Sequence, residues 1–145
     1  MNIDRRQFIK SSCNACIGIA ATGFLSSALS SCAPAFPVYK AKFDKGLIQV
    51  PVTSFETSNL VIVRDLQMDF DILLIKKSAE DYQALYMKCS HQANPLTVTS
   101  SGLFCSAHGS SFDLDGNVRT EPANGPLQKF KTELNDNIII INFKL

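Results

Sequence analysis

The chain contains two histidines, and each stands two or three residues from a cysteine: Cys89-Ser90-His91 and, 13 residues on, Cys105-Ser106-Ala107-His108. Two thiols and two imidazoles so close in sequence constrain the fold strongly. If they bind one centre, the surrounding architecture must present two neighbouring loops that converge on it. Thiolate combined with imidazole is the donor set of zinc or of an iron–sulfur centre. Zinc modules commonly pair Cys with Cys in one knuckle and His with His in another, whereas both knuckles here are mixed. Mixed knuckles suit a two-iron cluster, with both Cys on one iron and both His on the other. A structural zinc site is the competing reading. No other His is left, so a second iron held by two His and a carboxylate, of the oxygen-activating kind, is excluded.

The sequence on either side reads as β. Leu47–Val52 carries Pro51, which suits an edge strand. Asn59–Arg64 and Phe70–Ile75 are short runs rich in β-branched residues, separated by a turn over 65–69. Tyr82–Met87 is a further strand, entered from the polar 76–81 connection. Phe130–Leu134 and Ile138–Phe143 flank Asn135-Asp136-Asn137, a hairpin signal. After position 40 no segment of ten or more residues has a helical period. These patterns indicate an all-β sandwich or barrel. Formal net charge is +1, from 14 basic and 13 acidic residues, so no nucleic-acid-binding face is implied.

The N-terminal stretch has a different character. Asp4-Arg5-Arg6-Gln7-Phe8-Ile9-Lys10 resembles a twin-arginine export signal, with Asp in place of the usual Ser or Thr before the arginines. No charged residue follows between Ser11 and Tyr39. The apolar content of 11–31 is diluted by Gly18, Gly23, Asn14, Thr22 and six Ser, which makes a stable membrane-spanning helix marginal. Leu29-Ser30-Ser31-Cys32 resembles a bacterial lipobox, which implies cleavage before Cys32 and lipid attachment to its thiol. Residues 1–31 are therefore read as an export signal, 32–40 as a tether and 41–145 as one domain, with an uncleaved N-terminal anchor as the alternative to the lipid. Cys13 and Cys16 lie inside the signal and carry no redox role. From Cys32 onward 114 residues remain, with 11 basic and 12 acidic side chains.

The paired ligands and the residues after them resemble the Rieske [2Fe-2S] domain, whose signature is Cys-x-His, a spacer, then Cys-x-x-His. His108-Gly109-Ser110-Ser111-Phe112-Asp113 is similar to that family's His-Gly-Ser-x-Tyr/Phe-Asp run. Asp115-Gly116 matches the turn next to it in that family. Glu121-Pro122-Ala123-Asn124-Gly125-Pro126-Leu127 resembles its Pro loop, with Glu for the usual Gly. The resemblance covers about 40 residues of a cluster-binding part at about 86–127. It implies a Rieske-type antiparallel β-sandwich with a small cluster-binding subdomain of two loops.

By this resemblance Cys89 and Cys105 hold the buried iron of a [2Fe-2S] cluster, and His91 and His108 hold the outer one. Neutral His in place of anionic thiolate makes reduction easier than in an all-Cys cluster. Gly109, Ser110, Phe112 and Pro122 surround the ligands, and the Ser110 hydroxyl is placed to favour the reduced state. Phe112 stands where high-potential relatives carry Tyr, and its expected role is packing. Asn94 and Ala107 occupy the positions of a disulfide found in those relatives. Both departures imply a potential in the lower or middle part of the Rieske range, which runs from about −150 to +300 mV. Gln92 after His91, where quinol-oxidising relatives present Leu, weakens a quinol-site reading.

The expected function is one-electron transfer by an exported protein tethered to the periplasmic or outer side of the bacterial cytoplasmic membrane. Its partner would be a cytochrome or the catalytic subunit of an oxidoreductase. The competing functions are a ferredoxin-like component of an oxygenase system and a structural zinc-binding surface module.

Overall fold

The computed structural model describes residues 36–143, so the export signal and Cys32 lie outside the described residues. Five strands build the body of the fold where the apolar runs predicted them: β2 (Leu47–Pro51), β3 (Leu60–Arg64), β4 (Ile72–Lys76), β5 (Tyr82–Tyr86) and β11 (Ile138–Asn142). β10 (Lys129–Asn135) joins β11 through a two-residue turn in which Asp136 takes a φ of 52°. These strands and β1 (Val38–Lys40) form one seven-stranded sheet in the order β1-β3-β4-β5-β10-β11-β2. β2 lies at the edge, as the proline in it requires, because Pro51 has no N–H to give to a second neighbour.

β1 was not expected as a strand. Val38–Lys40 fall in the segment read as tether, yet they pair in parallel with Ile62–Arg64 of β3. The Ile62 N–H donates to the Pro37 carbonyl and the Ala41 N–H to the Arg64 carbonyl, so the pairing continues on both sides of the strand. Three residues between two prolines and a lysine-rich turn carry too little periodicity to be seen in sequence.

The four remaining strands lie in the stretch that was expected to hold only cluster loops. β6 (Thr97–Thr99), β7 (Gly102–Phe104), β8 (Ser111–Phe112) and β9 (Val118–Thr120) form a separate antiparallel sheet. Leu103 of β7 stands beside Phe112, and Phe112 beside Val118. Gly102 permits the β7–β8 approach: a Cβ there would meet the Phe112 carbonyl oxygen at 2.0 Å.

Side-chain alternation divides the body into two cores. Val61, Val63, Ile72, Leu74, Ala84 and Tyr82 point to one side, where they meet Ile48, Val50, Ile139 and Ile141. Leu60, Leu73, Ile75 and Leu85 point to the other, where they meet Leu96, Leu103, Phe112, Ala123 and Leu127. β4 is buried on both faces, which explains why its sequence is a continuous apolar run rather than an alternation. The second core includes Cys89 and Cys105, so the cluster-binding subdomain packs on the outer face of β3–β5.

Candidate metal centre

The first Cys/His pair sits on a loop closed at its base. The Leu96 N–H donates to the Met87 carbonyl at 3.1 Å, and the Cys89 N–H to the Asn94 carbonyl at 2.9 Å. Met87 in turn donates its N–H to the Asp71 carbonyl, which joins the loop to the body. The second pair sits on a tighter loop between β7 and β8. Here the Cys105 N–H donates to the Ser110 carbonyl at 2.8 Å, and the Gly109 N–H to the Cys105 carbonyl at 3.0 Å. Gly109 has a φ of 83°, a left-handed conformation that this return requires and that glycine adopts without steric cost.

The two loops bring the four predicted residues together as two pairs, thiol with thiol and imidazole with imidazole, and among the described residues no three such donors gather closely enough to hold a single metal ion. Cys89 and Cys105 are free thiols, 2% and 0% exposed, at the inner end against the second core. Outside them, the rings of His91 and His108 meet edge to face, with centroids 4.9 Å apart. His91 is half-buried and His108 exposed. The Nδ1 atom of His91 is buried and has no hydrogen-bond partner. A buried imidazole nitrogen without a partner is costly, and a metal ion is one way to satisfy it.

The Cys89 thiol is held below its usual range. Burial acts against this, but the backbone N–H groups of His91 and Gln92, the Cys105 thiol and the Ser110 hydroxyl together outweigh it. Ser110 is fully buried and approaches the Cys89 sulfur. Its hydroxyl nevertheless completes no hydrogen bond of regular geometry. A thiol biased to thiolate, a second buried thiol, an unpaired imidazole nitrogen and an unpaired hydroxyl all fit a thiolate- and imidazole-bound metal centre.

A third loop, 121–127, closes one flank. It contains the cis Glu121–Pro122 bond, and Pro122 itself is exposed. Ala123 and Leu127 are buried in the second core. Ser90, which had no role on sequence grounds, donates its hydroxyl to the Gly125 carbonyl at 2.6 Å and joins the first loop to this one. Phe112, 1% exposed, packs beneath the second loop as expected. Asn94 spends its carbonyl on Cys89 and its side-chain amide on the Gln92 carbonyl, while Ala107 is exposed.

Beyond the loops, Asp113 organises the turn to β9. Its Oδ1 accepts the N–H groups of Asp115 and Asn117, and its Oδ2 accepts from the Asn117 side chain. Burial works against ionisation here, but these donors and the charge of Arg119 hold the carboxyl below the usual carboxylate range. Gly116 turns toward Leu85 at this point, where a Cβ would stand 3.0 Å from a Leu85 methyl. The turn is fastened to the body by Gln83, which donates to the Leu114 carbonyl, and by the 2.6 Å Lys77–Asp115 ion pair.

This is an all-β metalloprotein architecture in which two loops offer one thiol layer and one imidazole layer. Residues 51–131 match the Rieske [2Fe-2S] domain, and the chain belongs to that family, whose domain binds a [2Fe-2S] cluster and transfers electrons. Among solved structures, one chain in the complex of reduced oxygenase and oxidised ferredoxin of carbazole 1,9a-dioxygenase superposes with a TM-score of 0.52. It is 16% identical, over 70% of this chain and 99% of that one. The plasma-membrane Rieske protein PetC3 of the cyanobacterium Synechocystis PCC 6803 is 17% identical over 68% of this chain and 87% of that one, with a TM-score of 0.47. The ferredoxin of carbazole 1,9a-dioxygenase from Nocardioides aromaticivorans IC177 is 15% identical over 66% and 94%, with a TM-score of 0.45. At such identities the likeness is one of fold. A comparison with curated protein sequences yields no significant match.

Proposed function

We propose that this chain is an exported one-electron carrier, tethered to the outer side of the cytoplasmic membrane through Cys32, with Cys89, His91, Cys105 and His108 as cluster ligands. The observation that carries the ligand set is that the same two loops hold one pair of buried thiols and one pair of edge-to-face imidazoles, one of which has an unpaired buried nitrogen. When bound, the cluster supplies reversible one-electron transfer. The protein supplies the rest. Cys89 and Cys105 sit in the second core, where water is excluded. His91 and His108 stand at the outer end, and exposed His108 gives a partner its shortest approach. The Ser110 hydroxyl and the amides of His91 and Gln92 stabilise negative charge on the sulfur side, which favours the reduced form.

The partner in this reading is a cytochrome or the catalytic subunit of an exported oxidoreductase. A twin-arginine route suits a protein that must receive its cluster before it is moved. A second reading, a ferredoxin-like component of an oxygenase system, draws support from the fold shared with the carbazole dioxygenase complex.

Metal and acid-labile sulfide analysis tests the centre. About two irons and two sulfides per chain, with a low average g in the EPR spectrum of the reduced protein, are expected of mixed His/Cys ligation. One zinc and no sulfide would overturn it. A His108→Cys variant lowers the reduction potential if His108 is a ligand. Mass spectrometry of the mature N-terminus separates the two functional readings. Acylated Cys32 supports the lipid-tethered carrier, an intact residue 1–31 segment replaces the lipid by an uncleaved N-terminal anchor, and a chain cleaved without acylation refutes the tether.

A further inference from the structure

A groove of about 350 Å³ lies at the seam between β1 and β2, the two edges of the seven-stranded sheet, away from the metal centre. It is lined by Tyr39, Lys42, Asp44, Lys45, Leu47 and Gln49. Lys42 and Lys45 supply two ammonium groups, while Tyr39 and Gln49 can add a hydroxyl and an amide donor. Asp44 is the one carboxylate in this lining. Neither lysine forms an ion pair among the described residues, and Lys40 adds a third positive charge on β1.

Lys45 is also in an unusual backbone position. The Asp44 and Leu47 backbones exchange hydrogen bonds of 3.0 and 2.9 Å around a two-residue turn. Both central residues have positive φ, 49° at Lys45 and 84° at Gly46. Turns of this kind favour Asn, Asp or Gly at the first central position, since a larger side chain there is strained. The residue that would relieve the turn would remove the ammonium from the groove.

We propose that this groove binds a phosphate group, and that its source is the headgroup of an anionic phospholipid. Two ammonium groups, a phenol and an amide around a concave site form the donor set that a phosphate accepts. Leu47, 36% exposed at the rim, offers apolar surface to a bilayer interface. Tyr39 stands seven positions after Cys32, and a chain of that length reaches at most about 25 Å. A lipid on Cys32 therefore holds the groove within reach of the headgroup layer, whose negative potential attracts lysines. The lipid source rests on the proposed anchor; the phosphate chemistry does not.

The test uses the full chain. Calorimetric titration with glycerol phosphate and with inorganic phosphate is combined with sedimentation on vesicles of phosphatidylglycerol and phosphatidylcholine, against vesicles of phosphatidylcholine alone. Glycerol phosphate should bind, and the mixed vesicles should retain more protein than the neutral ones. Lys42→Gln and Lys45→Asn should each weaken both interactions about fivefold. Lys131→Gln, the same charge change at an exposed site, should weaken neither. Lys45→Asn should melt at a temperature no lower than the parent, because Asn suits the turn, so its loss of binding cannot be ascribed to misfolding. No binding of glycerol phosphate, or an equal effect of Lys131→Gln, overturns the site. Tighter binding of inorganic phosphate, or no preference for the charged vesicles, overturns the lipid source. An unmodified Cys32 overturns the lipid source together with the anchor, and the titration with glycerol phosphate then decides the phosphate site by itself.

Discussion

The seven-stranded body and the cluster-binding subdomain are stabilised differently. Apart from the short β1, strands of the body are five to seven residues long, and their buried positions are filled mostly with Ile, Val and Leu. Strands of the subdomain are two or three residues long. Much of its sequence goes to turns, capping bonds and the candidate ligands instead of apolar contact. Its core is borrowed: Leu103, Phe112, Ala123 and Leu127 are buried against Leu73, Ile75 and Leu85 of the body. The body has an apolar core of its own, whereas the subdomain shares its core with the outer face of the body.

The largest effect should fall in the body. Leu74 is fully buried in the first core, so Leu74→Ala should cost about 2–5 kcal/mol in a denaturant titration and unfold both regions together. Cluster removal should act the other way, loosening only the subdomain. Asn94 and Ala107 cannot cross-link the two loops, and a disulfide between those positions, closing a loop of about 14 residues, would contribute about 3 kcal/mol. Limited proteolysis of the apo-protein should therefore cut within 89–126 while β3–β5 and β10–β11 resist. Equal resistance with and without cluster would break the comparison.

Gly102→Ala pushes a methyl group into the Phe112 carbonyl, so β7 and β8 must part; about 1–3 kcal/mol and faster cluster loss are expected. Unchanged cluster lifetime would mean that the small sheet does not position the second loop. The smallest effect belongs to Asp113→Ala, about 1 kcal/mol, because the carboxylate is partly solvated. Its ionised form is favoured in the folded state, so the contribution is full above the ordinary carboxylate pKa and is lost as pH falls through the depressed value. A thermal-melt comparison of parent and variant should show the gap at neutral pH and its closure in acid. A gap that persists below that range would assign the effect to packing and not to charge.

Much of the body was legible because period-2 patterns and apolar runs report burial directly: β2 to β5 and the β10–β11 hairpin fall where those signals place them. The four candidate ligands were legible for a different reason. Thiols and imidazoles are scarce in this chain, and their spacing is chemical and does not depend on periodicity. What escaped was short or non-local. β1 and β6–β9 are too brief to show a pattern. Ser90 finds Gly125 across 35 residues, and Lys77 finds Asp115 across 38.

By itself, then, the sequence determined the β class, the main strands and the family of the domain, and it singled out the four candidate ligands. Each of those depends on which residue types recur and how far apart they stand. The tertiary structure decided how deep each residue lies: that the thiols are buried and His108 exposed, that the subdomain rests on the outer face of β3–β5, and that Lys42 and Lys45 line one groove. Depth and adjacency arise when segments distant in the chain pack against one another, and such contacts leave no local mark in the order of residues.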